Sequence, residues 1–104
     1  MTRIVTVGAA QLGPIQRAHS RQDVVARLIT LLEQGARHGC DLVVFPELAL
    51  TTFFPRWYME SQAELDAYFE AQMPGPETQA LFDVARKLKV GFYLGYAELT
   101  EEDG

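Results

Sequence analysis

Asp41-Leu42-Val43-Val44-Phe45-Pro46-Glu47 is the stretch whose reading decides the fold. Its apolar run is too short for a helix. It reads as a strand covered on both faces, the habit of a parallel sheet. Pro46 has no N–H to give a ladder and ends the strand. Glu47 therefore stands at the strand's carboxyl end, where open α/β sheets gather their ligands.

Upstream, the sequence supplies what a parallel strand needs. Arg3 to Gln11 (RIVTVGAAQ) is a first strand rich in β-branched residues, and Gly13-Pro14 breaks it. Ser20 is an N-cap, with Asp23 three residues on as the second half of a capping box. Val24, Val25, Leu28, Ile29, Leu31, Leu32 and Ala36 recur at helical spacing, and Gly39 stops the helix. Strand, helix, strand makes a βαβ unit with a right-handed crossover.

Downstream, Glu47 to Ser61 (ELALTTFFPRWYMES) is an aromatic loop. Gln62 to Gln72 is predicted as a short amphipathic helix with Leu65, Tyr68 and Phe69 as its apolar face. Met73-Pro74-Gly75-Pro76 breaks the chain, and Pro76 opens a further helix that buries Leu81, Phe82, Val84, Ala85 and Leu88. Val90 to Leu99 is the third strand, with Gly91 and Gly95 on one face leaving room for a close neighbour. Asp103-Gly104 is a turn signal with no returning strand, and three strands make a thin sheet. The expectation is that residues 1–104 form the N-terminal part of a single, longer α/β domain.

Composition bounds the function. The chain has 104 residues, 48% apolar and 22% charged, with net charge −5 and pI about 4.9. No basic cluster exists, which argues against nucleic acid or an anionic membrane as partner. No stretch approaches the ~20 apolar residues of a membrane span, and the first residues alternate like a strand rather than a signal peptide. One cysteine, Cys40, excludes an internal disulfide and fits a reducing cytoplasm.

Glu47 is the residue that carries chemistry. Apolar neighbours such as Phe45, Phe53 and Phe54 would enclose it in the way a general base requires. From the residues alone, a helix-capping or solvated carboxylate is the alternative. Phe53, Phe54, Arg56 and Trp57 follow directly. They either wall a substrate pocket, with Arg56 facing a substrate carboxylate, or pack the loop onto the core or another subunit.

The segment HGCDLVVFPELALTTFFPRW resembles the first signature of the nitrilase superfamily of carbon–nitrogen hydrolases, an apolar strand leading into proline and a catalytic glutamate. Ala10-Gln11, the helix after it, Met73-Pro74-Gly75-Pro76 and the strand Gly91 to Glu98 extend the likeness over nearly the whole chain. The run ELALTTFFPRW is similar to the N-carbamoyl-D-amino-acid amidohydrolases in particular. The resemblance implies a four-layer α-β-β-α sandwich, a homo-oligomer, and a Glu–Lys–Cys catalytic set with no metal or organic cofactor. In that set the cysteine attacks the carbonyl carbon, the glutamate moves protons and the lysine stabilises developing negative charge. Only the glutamate carries over, to Glu47.

The other polar residues read as structural. Cys40 lies at the start of the second strand, roughly 16 Å of chain from Glu47, and is expected to be an inert thiol. His19 and His38 have no metal-ligand spacing, and Lys87 and Lys89 lie at a helix end. The alternatives to a carbamoyl hydrolase are an amidase, nitrilase or β-ureido hydrolase of the same superfamily, or a catalytically dead half-domain that binds other chains.

Overall fold

The computed structural model describes residues 2–100. Three strands, β1 (Val7–Ala9), β2 (Leu42–Val44) and β3 (Gly91–Tyr93), form one parallel sheet in the order β1-β2-β3. The register pairs Gly8 with Val43 and Val43 with Phe92. The regular ladders are shorter than the runs read from sequence. Single hydrogen bonds continue them: Asp41 N–H to Thr6 O, Ala10 N–H to Val44 O, and Phe45 N–H to Tyr93 O. At the start of β1 the Asp41 carboxylate accepts the Thr6 N–H, so a side chain takes over from the ladder. The predicted turn at Asp103-Gly104 lies outside the described residues.

The helix α1 (Arg21–Arg37) follows from its sequence signals. Ser20 Oγ accepts the Asp23 N–H and the Asp23 carboxylate accepts the Ser20 N–H, the reciprocal capping box. Val24, Val25, Leu28 and Leu32 are buried. At its far end Gly39, at φ 79°, closes a Schellman motif in which Cys40 N–H reaches Gly35 O and Gly39 N–H reaches Ala36 O.

The predicted helix over Gln62–Gln72 is corrected. The helix α2 stops at Asp66 (Gln62–Asp66). Glu70 instead exchanges hydrogen bonds with the third strand's extension: its N–H reaches Ala97 O, and Leu99 N–H reaches its carbonyl. Its buried carboxylate pairs with Arg21, which also donates to Ala67 O. Tertiary contacts thus override the local helical pattern. The helix α3 (Gln79–Leu88) begins one turn after Pro76, and the intervening turn is closed by Thr78 N–H and Gln79 N–H on Gly75 O. Leu81 and Ala85 are its buried residues.

Both crossovers step across the sheet in the same direction. Right-handed crossovers therefore place α1 and α3 on the same face, packed against each other. The row Gly8, Val43, Phe92 points at them: Val43 lies against Gly35 of α1, and Phe92 meets the Phe82 ring of α3 at 5.1 Å. Phe45 joins this core, 6.0 Å from Phe92. The opposite face carries Val5, Val7 and Tyr93, which are 50%, 55% and 62% exposed.

Candidate active site

The carboxyl ends of β1 and β2 open into two loops that face each other across a cavity of about 640 Å³. The size suits a small molecule. One wall is the segment after β1, Leu12 to Ala18, and the other runs from Pro46 to Trp57. Glu47 lines this cavity and is exposed, so its carboxylate is open to a ligand.

The backbone explains how Glu47 is presented. Pro46 ends the strand, and Leu48 takes the left-handed conformation at φ 47°, unusual for a branched residue. Ala49 N–H then bonds Gly95 O on the strand extension next door. Gly95 packs against this turn: a Cβ there would meet the Leu48 nitrogen at 3.5 Å and the Glu47 Cα at 3.6 Å, ordinary contact distances that do not by themselves require glycine. A non-glycine residue in a sparsely populated conformation beside a candidate catalytic group is the kind of strain that functional sites hold.

The facing wall is fixed from α1. Arg27 donates to Leu12 O at 2.6 Å and to Pro14 O at 3.1 Å, pinning the segment around Gly13, itself at φ 80°. His19 closes the next turn: its Nδ1 accepts the Gln16 N–H at 3.1 Å. That is a capping role, in line with the sequence reading.

Of the four pocket residues named from sequence, Phe53, Arg56 and Trp57 line the cavity with Glu47. Phe54 does not. It is buried and stacks on Tyr68 at 5.2 Å and against Phe69 at 5.5 Å, anchoring the loop to the segment after α2. Phe45 points into the helix-side core. The apolar enclosure expected around Glu47 is therefore made neither by Phe45 nor by Phe54. Phe53 is the one of the three that lines the cavity. Cys40 lies away from this site, against Gly8 and Gly35 in a separate groove beside α1.

Sequence reasoning missed Arg17. Its guanidinium carbon lies 4.8 Å from the Trp57 ring centroid, and that of Arg56 lies 5.7 Å from the same ring. The available signal was topological: in a parallel sheet the loops after neighbouring strands share one end, so the residues after Gly13-Pro14 had to meet those after Glu47.

A parallel sheet with a carboxylate presented into a strand-end cavity defines an α/β protein with a candidate site at the carboxyl ends of its strands. The model of the carbon-nitrogen hydrolase family matches residues 6–104. Similar proteins include a cyanide hydratase of Penicillium rubens, 33% identical over 75% of this chain and 24% of its own length. A nitrilase 2 from an unknown prokaryotic organism is 31% identical over 91% of this chain and 32% of its own length. An aliphatic nitrilase of Rhodococcus rhodochrous is 26% identical over 99% of this chain and 29% of its own. The chain spans about a quarter to a third of the length of these relatives. It belongs to the carbon-nitrogen hydrolase family, the nitrilase superfamily.

Proposed function

We propose that this chain supplies the proton-moving glutamate of a hydrolase that cleaves a non-peptide carbon–nitrogen bond. The proposed substrate is an N-carbamoyl-D-amino acid, and the products are the D-amino acid, ammonia and carbon dioxide. The observation that carries this reading is Glu47, exposed into the strand-end cavity of a family member. The substrate rests on the resemblance of ELALTTFFPRW to the carbamoyl hydrolases.

In this mechanism Glu47 accepts the thiol proton as a cysteine sulfur attacks the carbamoyl carbon. It passes that proton to the departing ammonia. It then takes a proton from the water that hydrolyses the resulting thiocarbamate and returns it to the cysteine sulfur, and the freed carbamate loses carbon dioxide. Cys40 does not fill the cysteine's role, because it lines a different groove. The reading places the working cysteine and lysine at other strand ends of a whole protein. A second sheet covers the face bearing Val5, Val7 and Tyr93 and completes the four layers. Association into a homo-oligomer and a cytoplasmic location belong to the same proposal.

The test is turnover by the whole gene product and its Glu47→Gln variant. The variant is expected to keep its circular dichroism and melting temperature while kcat falls roughly a hundredfold or more. Near-normal turnover in the folded variant would remove Glu47 from the mechanism. A nitrile substrate is the second reading, favoured by the names of the nitrilase and cyanide hydratase relatives. Aliphatic nitriles assayed in parallel decide between them, since the higher kcat/KM identifies the substrate class.

A further inference from the structure

We propose that the buried ion pair Arg21–Glu70 is a positioning pair for Glu47: it fixes the segment 67–70, from which the loop bearing the glutamate is held at two points. The inference deepens the proposed function and rests on Glu47 being its proton-moving group.

Glu70 fills an edge that the second strand gives up. Along an extended strand the carbonyls of alternate residues face the same edge. From β3 onward, Tyr93 O accepts the Phe45 N–H at 3.0 Å, Gly95 O accepts the Ala49 N–H at 3.0 Å, and Ala97 O accepts the Glu70 N–H at 2.7 Å. Pro46 turns the chain away from this edge, the turn at Leu48 brings Ala49 back to it, and Glu70 takes the next place. Leu99 N–H returns to Glu70 O at 2.8 Å, so Glu70 is bonded as one residue of a parallel ladder. The turn that presents Glu47 therefore hangs from a strand extension whose far end is held by Glu70.

The second hold is aromatic. Phe54 stacks on Tyr68 at 5.2 Å and meets Phe69 at 5.5 Å, and Trp57 N–H bonds Phe54 O at 2.9 Å. Phe53 and Trp57, which line the cavity with Glu47, flank that anchor. Arg21, at the start of α1, ties the anchoring segment down. It donates from Nε to the Glu70 carboxylate and from Nη2 to Ala67 O at 2.6 Å, and so spans both ends of the segment. The pair is a poor source of stability for a residue as buried as Glu70, since apolar residues of similar volume often serve as well or better. Its two-point geometry is what apolar residues cannot supply.

The experiment is a mutant cycle in the whole protein, read on whichever of N-carbamoyl-D-phenylalanine and butyronitrile it turns over. Arg21→Met with Glu70→Leu removes both charges together, so no unpaired charge stays buried, and the melting temperature is expected to remain near the parent's. The expected kcat falls roughly tenfold or more while KM changes less than about threefold, because a reacting group misplaced by about 1 Å slows the chemistry without removing a binding contact. In a Glu47→Gln background the same two changes should cost less than about threefold, since the group they position is already gone. Where the apolar variant does not fold, Arg21→Lys decides by the same cycle. It keeps a charge opposite Glu70 but cannot span Glu70 and Ala67 O, and a several-fold loss of kcat is expected of it. A kcat within about twofold of the parent's in the folded variant, or an equal fold loss with and without the Glu47 carboxylate, overturns the positioning role and leaves the proposed function standing. Near-normal turnover by Glu47→Gln alone overturns both.

Discussion

Lys89 and Gly39 each end a helix in the left-handed conformation, at φ 57° and 79°. At both, the residue after them donates to a carbonyl one helical turn and more back, Val90 to Ala85 and Cys40 to Gly35. Glycine takes that conformation without a Cβ clash, whereas lysine takes it with strain. Lys89→Gly is therefore expected to stabilise the protein by about 0.5–1 kcal/mol, read as a raised denaturant midpoint with unchanged slope. A lowered midpoint would show that the lysine side chain contributes more than its backbone costs. The two positions also mark what a sequence reveals at this scale. Gly39 announces a helix stop by its identity, while Lys89 carries no such signal and reads only as a solvated charge. Glu47 was legible because a proline and a buried strand precede it. Leu48's left-handed turn was not, since nothing about leucine suggests it.

Among the elements, α1 was read correctly at both ends because its signals are local: a capping box, a 3.6-residue stripe and a terminal glycine. Segment 62–72 was misread because its decisive partners, Arg21 and the backbone at Ala97, are distant in sequence. The capping box makes a pH-dependent prediction. The hydrogen bond from the Ser20 backbone, followed by that with the Ser20 side chain, holds the Asp23 carboxyl below its ordinary value of 3.8. A carboxyl whose folded value is depressed adds stability that is present above the unfolded value and lost as pH falls through the folded one. Asp23→Asn should thus be less stable than the parent at neutral pH, and the difference should shrink as pH falls below 3.8. Urea melts of both proteins across that range check it, and a constant difference would remove the cap's charge from the account.

For the molecule as a whole, the parallel βαβαβ path was legible in the alternation of strand and helix signals. That path implies which loop forms the cavity's facing wall, but not which of its residues take part, because no local signal marks Arg17 as a neighbour of Trp57. The sheet itself is asymmetric, with two helices on one face and Val5, Val7 and Tyr93 on the other. The proposed second sheet gives a sharp expectation for that face. Val7→Asp in the whole protein should lower stability by about 2–4 kcal/mol, the effect of an unpartnered polar group in an apolar layer. A change within about 0.5 kcal/mol is what a solvent-facing position would give, and it would refute sheet-on-sheet packing there.

Trp57 is the one tryptophan of these 104 residues. It is also the ring on which both arginines rest. The long-wavelength ultraviolet emission of this stretch of chain thus arises from a single indole under two cations at the rim of the cavity. Any charge that enters the cavity beside that ring alters the electric field along the indole, and the colour of its light reports the event without any label being added.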